Sequence, residues 1–341
     1  MIRHYLKTAW RNLMRNKVFS FINIMGLTIG ITVCLMIFLF ITSEFSFDNF
    51  HKQGNQIYRV MRNTVSEGKD VSVAYLSGPY APALLNDFKG EIGAAVRVNA
   101  TNGLVTINNQ GFTEKKIINV DSNFFNFFTF PLIKGDPGTV LKDPSSVVLT
   151  EQAAKKYFGS SSNAFGKILK LDNELDLKVT GIAKNVPTNS HLDFDMVVPI
   201  ANYEKKSYFD VWINNAMYTY IKLNPGITKE QVQRRLPGFM DKYMGETMQK
   251  YGFHFSLFLT PLSDVYFSSP NFDSVRHGDK KVVFIFLSIA ILILVIACIN
   301  FMNLSTIRAV DRAKEIGLRK VLGAYRRQLM GQFIGESLFI T

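Results

Sequence analysis

Residues that could do chemistry are few along this chain, and their spacing argues against an enzyme. His191, Asp193 and Asp195 alternate, so on an extended strand their side chains share one face and could together hold a metal ion. A solvated polar face needs no metal and explains the same pattern. From Gly159 to Lys167 the run GSSSNAFGK is near to a phosphate-binding loop, but the required spacing puts a glycine at Ser161 and a hydroxyl at Ile168. Without them the phosphate cradle and the magnesium ligand are both missing. Gly-x-Ser-x-Gly, His-Glu-x-x-His and Cys-x-x-Cys do not occur, and the five histidines are isolated in sequence. No catalytic residue, cofactor site or metal site is therefore expected in this chain.

A different kind of signal lies near the C-terminal end. Arg312, Lys314, Glu315, Arg319 and Lys320 are charged, Ile316, Val321 and Leu322 are apolar, Gly317 interrupts any long helix and Gly323 is placed to end one. The pattern suits a short charged helix held on a membrane and docking onto a soluble partner. An ordinary basic segment beside a membrane span is the plainer alternative.

The elements that would position such a segment follow from composition. Apolar residues make up 47% of the 341 and charged residues only 19%, while the net charge is +12. Residues 1–18 carry Arg3, Lys7, Arg11, Arg15 and Lys17 with no acid, and residues 305–341 carry seven basic against three acidic residues. Most of the charge thus sits at the two ends, each next to an uncharged apolar run, 19–42 and 282–304. That distribution marks the cytoplasmic side of two membrane helices and sets nucleic acid aside as a partner. The first run is too long for a signal peptide and lacks a small-x-small exit, so it is expected to stay. Gly26 and Gly30, spaced Gly-x-x-x-Gly, clear one helix stripe for close packing. Ahead of it, Ile2, Tyr5, Leu6, Ala9, Trp10 and Leu13 recur at helical spacing, predicting a basic amphipathic helix over 1–18 against membrane lipids. Both cysteines, Cys34 and Cys298, fall inside the runs, so the region between can hold no disulfide.

Residues 43–281 then lie outside the cytoplasm as an α+β domain flanked by the two transmembrane helices. Strands are predicted at 56–64, 94–100, 115–120, 176–183, 192–200 and 217–223, with helices at 82–88, from Thr150 to Phe158, and after a Thr228/Gln231 capping box. Pro237-Gly238 is expected to kink or split that last helix. Phe124, Phe125, Phe127 and Phe128 read as a buried corner. Pro131, Gly135, Pro137, Gly138 and Pro144 suggest two subdomains, with an inserted one at about 121–204.

Lys314-Glu315-Ile316-Gly317, Arg319-Lys320 and Gly323-Ala324 closely resemble the cytoplasmic loop of MacB/FtsX-type ABC permeases. Ala9-Trp10-Arg11-Asn12-Leu13, Asn23-Ile24-Met25-Gly26-Leu27, Phe47-Asp48-Asn49-Phe50-His51 and Ile57-Tyr58-Arg59-Val60 resemble the same family. The resemblance implies a MacB-like periplasmic core domain and the start of an FtsX-like domain, in the inner membrane. It further implies a dimeric permease whose loop 305–332, through Arg312, Lys314, Glu315, Gly317, Arg319, Lys320 and Gly323, contacts a separate ABC ATPase that holds ATP and magnesium. A second permease copy and a periplasmic adaptor or substrate protein are the further partners it implies. Residues 333–341 read as the start of a third, truncated span. A two-pass sensor with an extracytoplasmic ligand-binding domain is the alternative. It is disfavoured because a glycine-broken basic loop and an apolar restart follow the second span where a sensor would continue into helical linkers.

Overall fold

The computed structural model describes residues 17–66, 69–204 and 209–311; residues 1–16 of the expected 1–18 amphipathic helix and the 312–341 segment, with every predicted coupling residue, lie outside them, while Lys17 and Val18 belong to the first membrane-length helix. Along the chain come α1 (Lys17–Phe45), β1 (Ile57–Ser66), β2 (Lys69–Val73), α2 (Tyr80–Asp87), β3 (Ile92–Ile107), β4 (Gln110–Val120) and β5 (Leu132–Lys134). There follow β6 (Ser146–Thr150), α3 (Glu151–Phe158), β7 (Ile168–Leu171), β8 (Leu175–Ala183) and β9 (Met196–Pro199). The last elements are β10 (Tyr218–Leu223), α4 (Lys229–Tyr251), β11 (Phe255–Pro261) and α5 (Lys280–Asp311). The chain divides into Ser46–Asp279 and the helices on either side of it.

Helices α1 and α5 are each long and apolar enough to cross a membrane. Large apolar side chains such as Phe21, Met36, Leu292 and Ile296 stay exposed along them, which water would penalise and lipid would not. The two pack against each other with opposite direction. Gly26 faces Asn300, Gly30 faces Ala297, the Cys34 thiol donates to the Ala290 carbonyl at 3.3 Å, and Phe40 meets Phe286 edge-on. A Cβ on Gly30 would stand 3.1 Å from that of Ala297, so glycine there lets the two helices approach closely.

In Ser46–Asp279 the strands make one sheet, ordered β11-β1-β10-β3-β4-β9-β6-β8-β5, with β2 added to β1. Strand β7 pairs with both β3 and β8, so β3, β4, β9, β6, β8 and β7 close into a ring around Val105, Ile117, Leu149, Leu171, Val179 and Met196. Pairing is antiparallel except for β4 with β9 and β6 with β8. The expected boundary around 121–204 does not interrupt the sheet: β9 joins β4, and Val140 and Leu141 fill a core shared with β1 and β10. The four phenylalanines 124, 125, 127 and 128 are buried in that same core.

Local signals explain several elements. Thr150 Oγ1 accepts the Ala153 N–H to start α3, and Gly159 ends it at φ +79°. Asn108 and Asn109 both take positive φ, the geometry of a two-residue hairpin that matches strand twist, so β3 and β4 run on well beyond the predicted 94–100 and 115–120. Helix α4 opens on the Thr228/Gln231 capping box but is not split: it continues through Pro237 to Tyr251. Leu236, Phe239, Met240, Met244 and Met248 are buried on both sides of the proline in one core, and that burial outweighs one missing backbone hydrogen bond. On the outer edge of the sheet Gln233 of α4 stands in for a strand. Its amide accepts from Leu259 N–H and donates to Leu257 carbonyl, covering the open edge of β11.

Candidate functional site

The residues singled out for chemistry do not converge. His191 to Asp195 is irregular backbone rather than strand, because β9 begins only at Met196. His191 is buried, Asp193 pairs with Lys116 and Arg276, and Asp195 turns to Thr150. The shared solvated face is therefore not formed, and no cluster of metal-ligating side chains exists among the described residues. In the glycine-serine run, Gly159 ends α3, and Ser160 caps the single turn Ser161–Ala164 by accepting the Asn163 N–H.

What the fold does bring together is a chain of buried polar groups that sequence reading missed. It starts three residues after α1. Asp48 donates its N–H to the Asn189 carbonyl, and its Oδ1 accepts the His191 N–H at 3.2 Å. Its Oδ2 lies 2.8 Å from His191 Nδ1, close but too oblique for a hydrogen bond. On the other side of the ring, His191 Nε2 is 2.8 Å from the Tyr220 hydroxyl. His51 accepts the Thr129 N–H through Nδ1 at 3.0 Å. Burial lowers the His51 pKa to about 4, against the opposing pull of Asp48.

The chain resumes just ahead of α5. Asp273 Oδ2 is 2.8 Å from Arg59 Nη1 and 3.1 Å from His277 Nε2, while Oδ1 accepts the Tyr218 hydroxyl at 2.7 Å and the Val275 N–H at 3.1 Å. Burial acts to raise the Asp273 carboxyl, but His277, Arg59 and Tyr218 together overcome it and hold it below the usual carboxylate range. Arg59 also donates to Ser268 Oγ at 2.9 Å. Tyr220 links the halves, since it stands directly opposite Arg59 in the β1–β10 ladder and feels the charges of Arg59, Asp273 and Asp48. Phe47 and Tyr266 stack with ring centroids 3.5 Å apart, so the segments leading from α1 and towards α5 also touch directly.

The order Asp48, His191, Tyr220 is that of a proton relay, yet it has no substrate side. Tyr220 is fully buried, and burial raises its hydroxyl well above the ordinary pKa of tyrosine. What the arrangement can do is hold two chain segments on two adjacent strands. Asp48, His51 and Arg59 all lie in two of the runs that carried the family resemblance, 47–51 and 57–60. An arginine between Ile57 and Met61, on the core side of an alternating strand, was the visible sign.

A mixed α/β domain whose chain enters and leaves through two membrane-long apolar helices defines a membrane-anchored protein. The chain belongs to the MacB/FtsX-like ABC permease family: the MacB-like periplasmic core domain matches residues 20–238, and the FtsX-like permease C-terminal domain matches 287–341. It is similar to the macrolide export ATP-binding/permease protein MacB of Salmonella paratyphi A, at 20% identity over 99% of this chain and 50% of that protein. With the protein of the same name from Bdellovibrio bacteriovorus it shares 24% identity over 57% of this chain and 28% of the other. The chain thus spans half or less of the length of these curated relatives. Among solved structures, a domain of a candidate permease protein from Porphyromonas gingivalis has a similar fold, with a TM-score of 0.55 at 23% identity over 69% of this chain and 97% of that one. Membership places the chain among membrane transport proteins with an extracytoplasmic domain, and the matched region is the permease part of the relatives rather than an enzymatic one.

Proposed function

We propose that the chain is the permease subunit of an ABC-type export or mechanotransmission system. In this reading ATP hydrolysis, with its magnesium, belongs to a separate ATPase, and the motion of α1 and α5 drives the domain between them. One observation carries it: Asp273, ahead of α5, is ion-paired inside the core to Arg59 of β1, and Asp48, after α1, accepts the His191 N–H while the His191 ring meets the Tyr220 hydroxyl of β10. A movement of either helix end then reaches the sheet without being absorbed by a slack linker.

The remaining parts follow from charge and resemblance. Basic residues at both ends set the N-terminus and the 312–324 loop in the cytoplasm, with 43–281 outside. Arg312, Lys314, Glu315, Gly317, Arg319, Lys320 and Gly323 form the ATPase-contacting loop. Gly26 and Gly30 hold the two helices together, and a second permease copy completes the dimer. The 121–204 lobe moves with the sheet that it extends. Export is the activity carried in the names of the MacB relatives.

Hydrogen exchange on the permease assembled with its ATPase tests the proposal. Amides of residues 46–54 and 273–279 should change protection by at least about tenfold between the nucleotide-free and ATP-trapped states. Unchanged exchange in both segments, with the ATPase demonstrably turning over, would sink the coupling reading.

A further inference from the structure

Beside the polar chain lies a cleft of about 360 Å³. Its volume falls at the small end of the range of ligand sites, about 300–1,000 Å³. Ile118, Leu192 and Val275 supply apolar wall, and the first two belong to the buried core. At its rim Lys116 Nζ and Arg276 Nη2 each stand 2.9 Å from the same Asp193 oxygen. Two cations therefore share one carboxylate, which leaves a positive charge in excess at the mouth of a mixed cleft whose wall carries an apolar patch.

Those contacts are replaceable. The side chains of Lys116 and Arg276 are about half exposed, 47% and 50%, and that of Asp193 is 28% exposed. Ion pairs so wet contribute about 0–1 kcal/mol. Asp193 thus marks where a carboxylate fits between the two cations without holding the place strongly. We propose that the cleft binds a small apolar carboxylate, its head group taking the place of Asp193 between Lys116 and Arg276 and its hydrocarbon lying against Ile118, Leu192 and Val275. The cleft also borders Tyr218 and Ser274, which hydrogen-bond to each other next to Asp273, so a bound molecule would lie against the segment that leads into α5. Only this last consequence rests on the coupling reading; binding does not.

Calorimetric titration of the full chain in lipid nanodiscs with sodium octanoate, referenced to empty nanodiscs, tests the binding. Saturable octanoate binding is expected, with no equivalent for octanol, which lacks the charge. Lys116→Gln with Arg276→Gln should weaken it by at least about tenfold, as expected for loss of charged hydrogen-bond donors. Asp193→Asn should tighten it several-fold by removing the internal competitor. Thermal unfolding of the same samples shows whether each variant is folded, and the Asp193→Asn arm reports a gain that misfolding cannot mimic. The proposal falls if neither the parent nor Asp193→Asn gives saturable heat, if octanol binds as well as octanoate, or if the folded glutamine variant binds as tightly as the parent. Each readout is binding alone, so this failure and a failure of the coupling reading are told apart.

Discussion

Replacing Asp273 with asparagine removes one charge and almost no volume, which makes it the cleanest cut into the polar chain. Arg59 and Asp273 are both shielded from solvent, with side-chain exposures of 0% and 1%, and their atoms approach to 2.8 Å. Removing one member of such a pair strands the other charge in the core at a cost of about 3–5 kcal/mol. Asparagine can still accept from Tyr218, so the lower end, about 3 kcal/mol, is expected. For a domain of this size 1 kcal/mol corresponds to about 2–4 °C, so the melting temperature should fall by about 6–12 °C. Near-ultraviolet circular dichroism of the full chain in nanodiscs follows the domain, since Trp212 and its stacked neighbour Tyr243 both lie within it. The paired apolar variant, Arg59→Met with Asp273→Leu, removes both desolvation terms and should return to within about 1 kcal/mol of the parent. An Asp273→Asn protein melting within 2 °C of the parent would refute the reasoning. So would a double variant as unstable as the single one, because the loss would then be one of shape and not of stranded charge.

Acid should loosen the other end of the chain. His51 has a folded pKa of about 4 against an ordinary 6.5, so the unfolded state binds the extra proton first and stability falls as pH drops from about 6.5 to 4. The loss is about 3 kcal/mol in urea midpoints converted to free energy, and His51→Asn, whose side-chain oxygen can accept the same Thr129 N–H, should flatten it. Between the helices, Gly30→Cys with Ala297→Cys in a background lacking Cys34 and Cys298 should form a disulfide on mild oxidation, read as a gel shift after proteolysis between them. No cross-link would contradict the packing. In the loop, reversing Glu315 and Arg319 should weaken co-purification with the ATPase by about 2–5 kcal/mol and abolish its stimulation, while reversing Lys7 should cost much less. Equal stimulation by the loop variants would remove the assignment.

How much of this was legible depended on whether the signal was local. The ends of α3 are written in Thr150 and Gly159, and the start of α4 in Thr228 and Gln231, because a cap is a contact across three residues. Membrane-length helices need only a run of apolar residues. Strand β6 was invisible: Ser146–Thr150 is buried at every position between two neighbours, so it shows no alternation to detect. Pro237 misled because its penalty is local, whereas the burial that overrides it comes from β1, β10 and β11. The polar chain was the hardest to read. Arg59 and Asp273 are 214 residues apart, and each alone looks like a solvated charge. His191, Asp193 and Asp195 showed the opposite failure. Their alternation was real, but the backbone there is not a strand, so each side chain found a different partner.

A buried polar chain is a poor way to gain stability, since an apolar replacement of the same shape usually does as well. What it enforces is position. Apolar surfaces tolerate sliding with little change in energy, whereas Asp273 satisfies Arg59, Tyr218 and Val275 together in a single place. Asp48 is bound in the same way by Asn189 and His191. These two anchors stand three residues after Phe45 and seven before Lys280. Because Arg59 and Tyr220 face each other across one ladder, both anchors load the same pair of strands. If the proposed coupling holds, displacing a helix end would either carry β1 and β10 along or leave Arg59 or Asp48 buried without a partner. At several kcal/mol for each stranded charge, moving the strands is the cheaper course. On the coupling reading, that difference is what lets work done on the helices arrive in the domain.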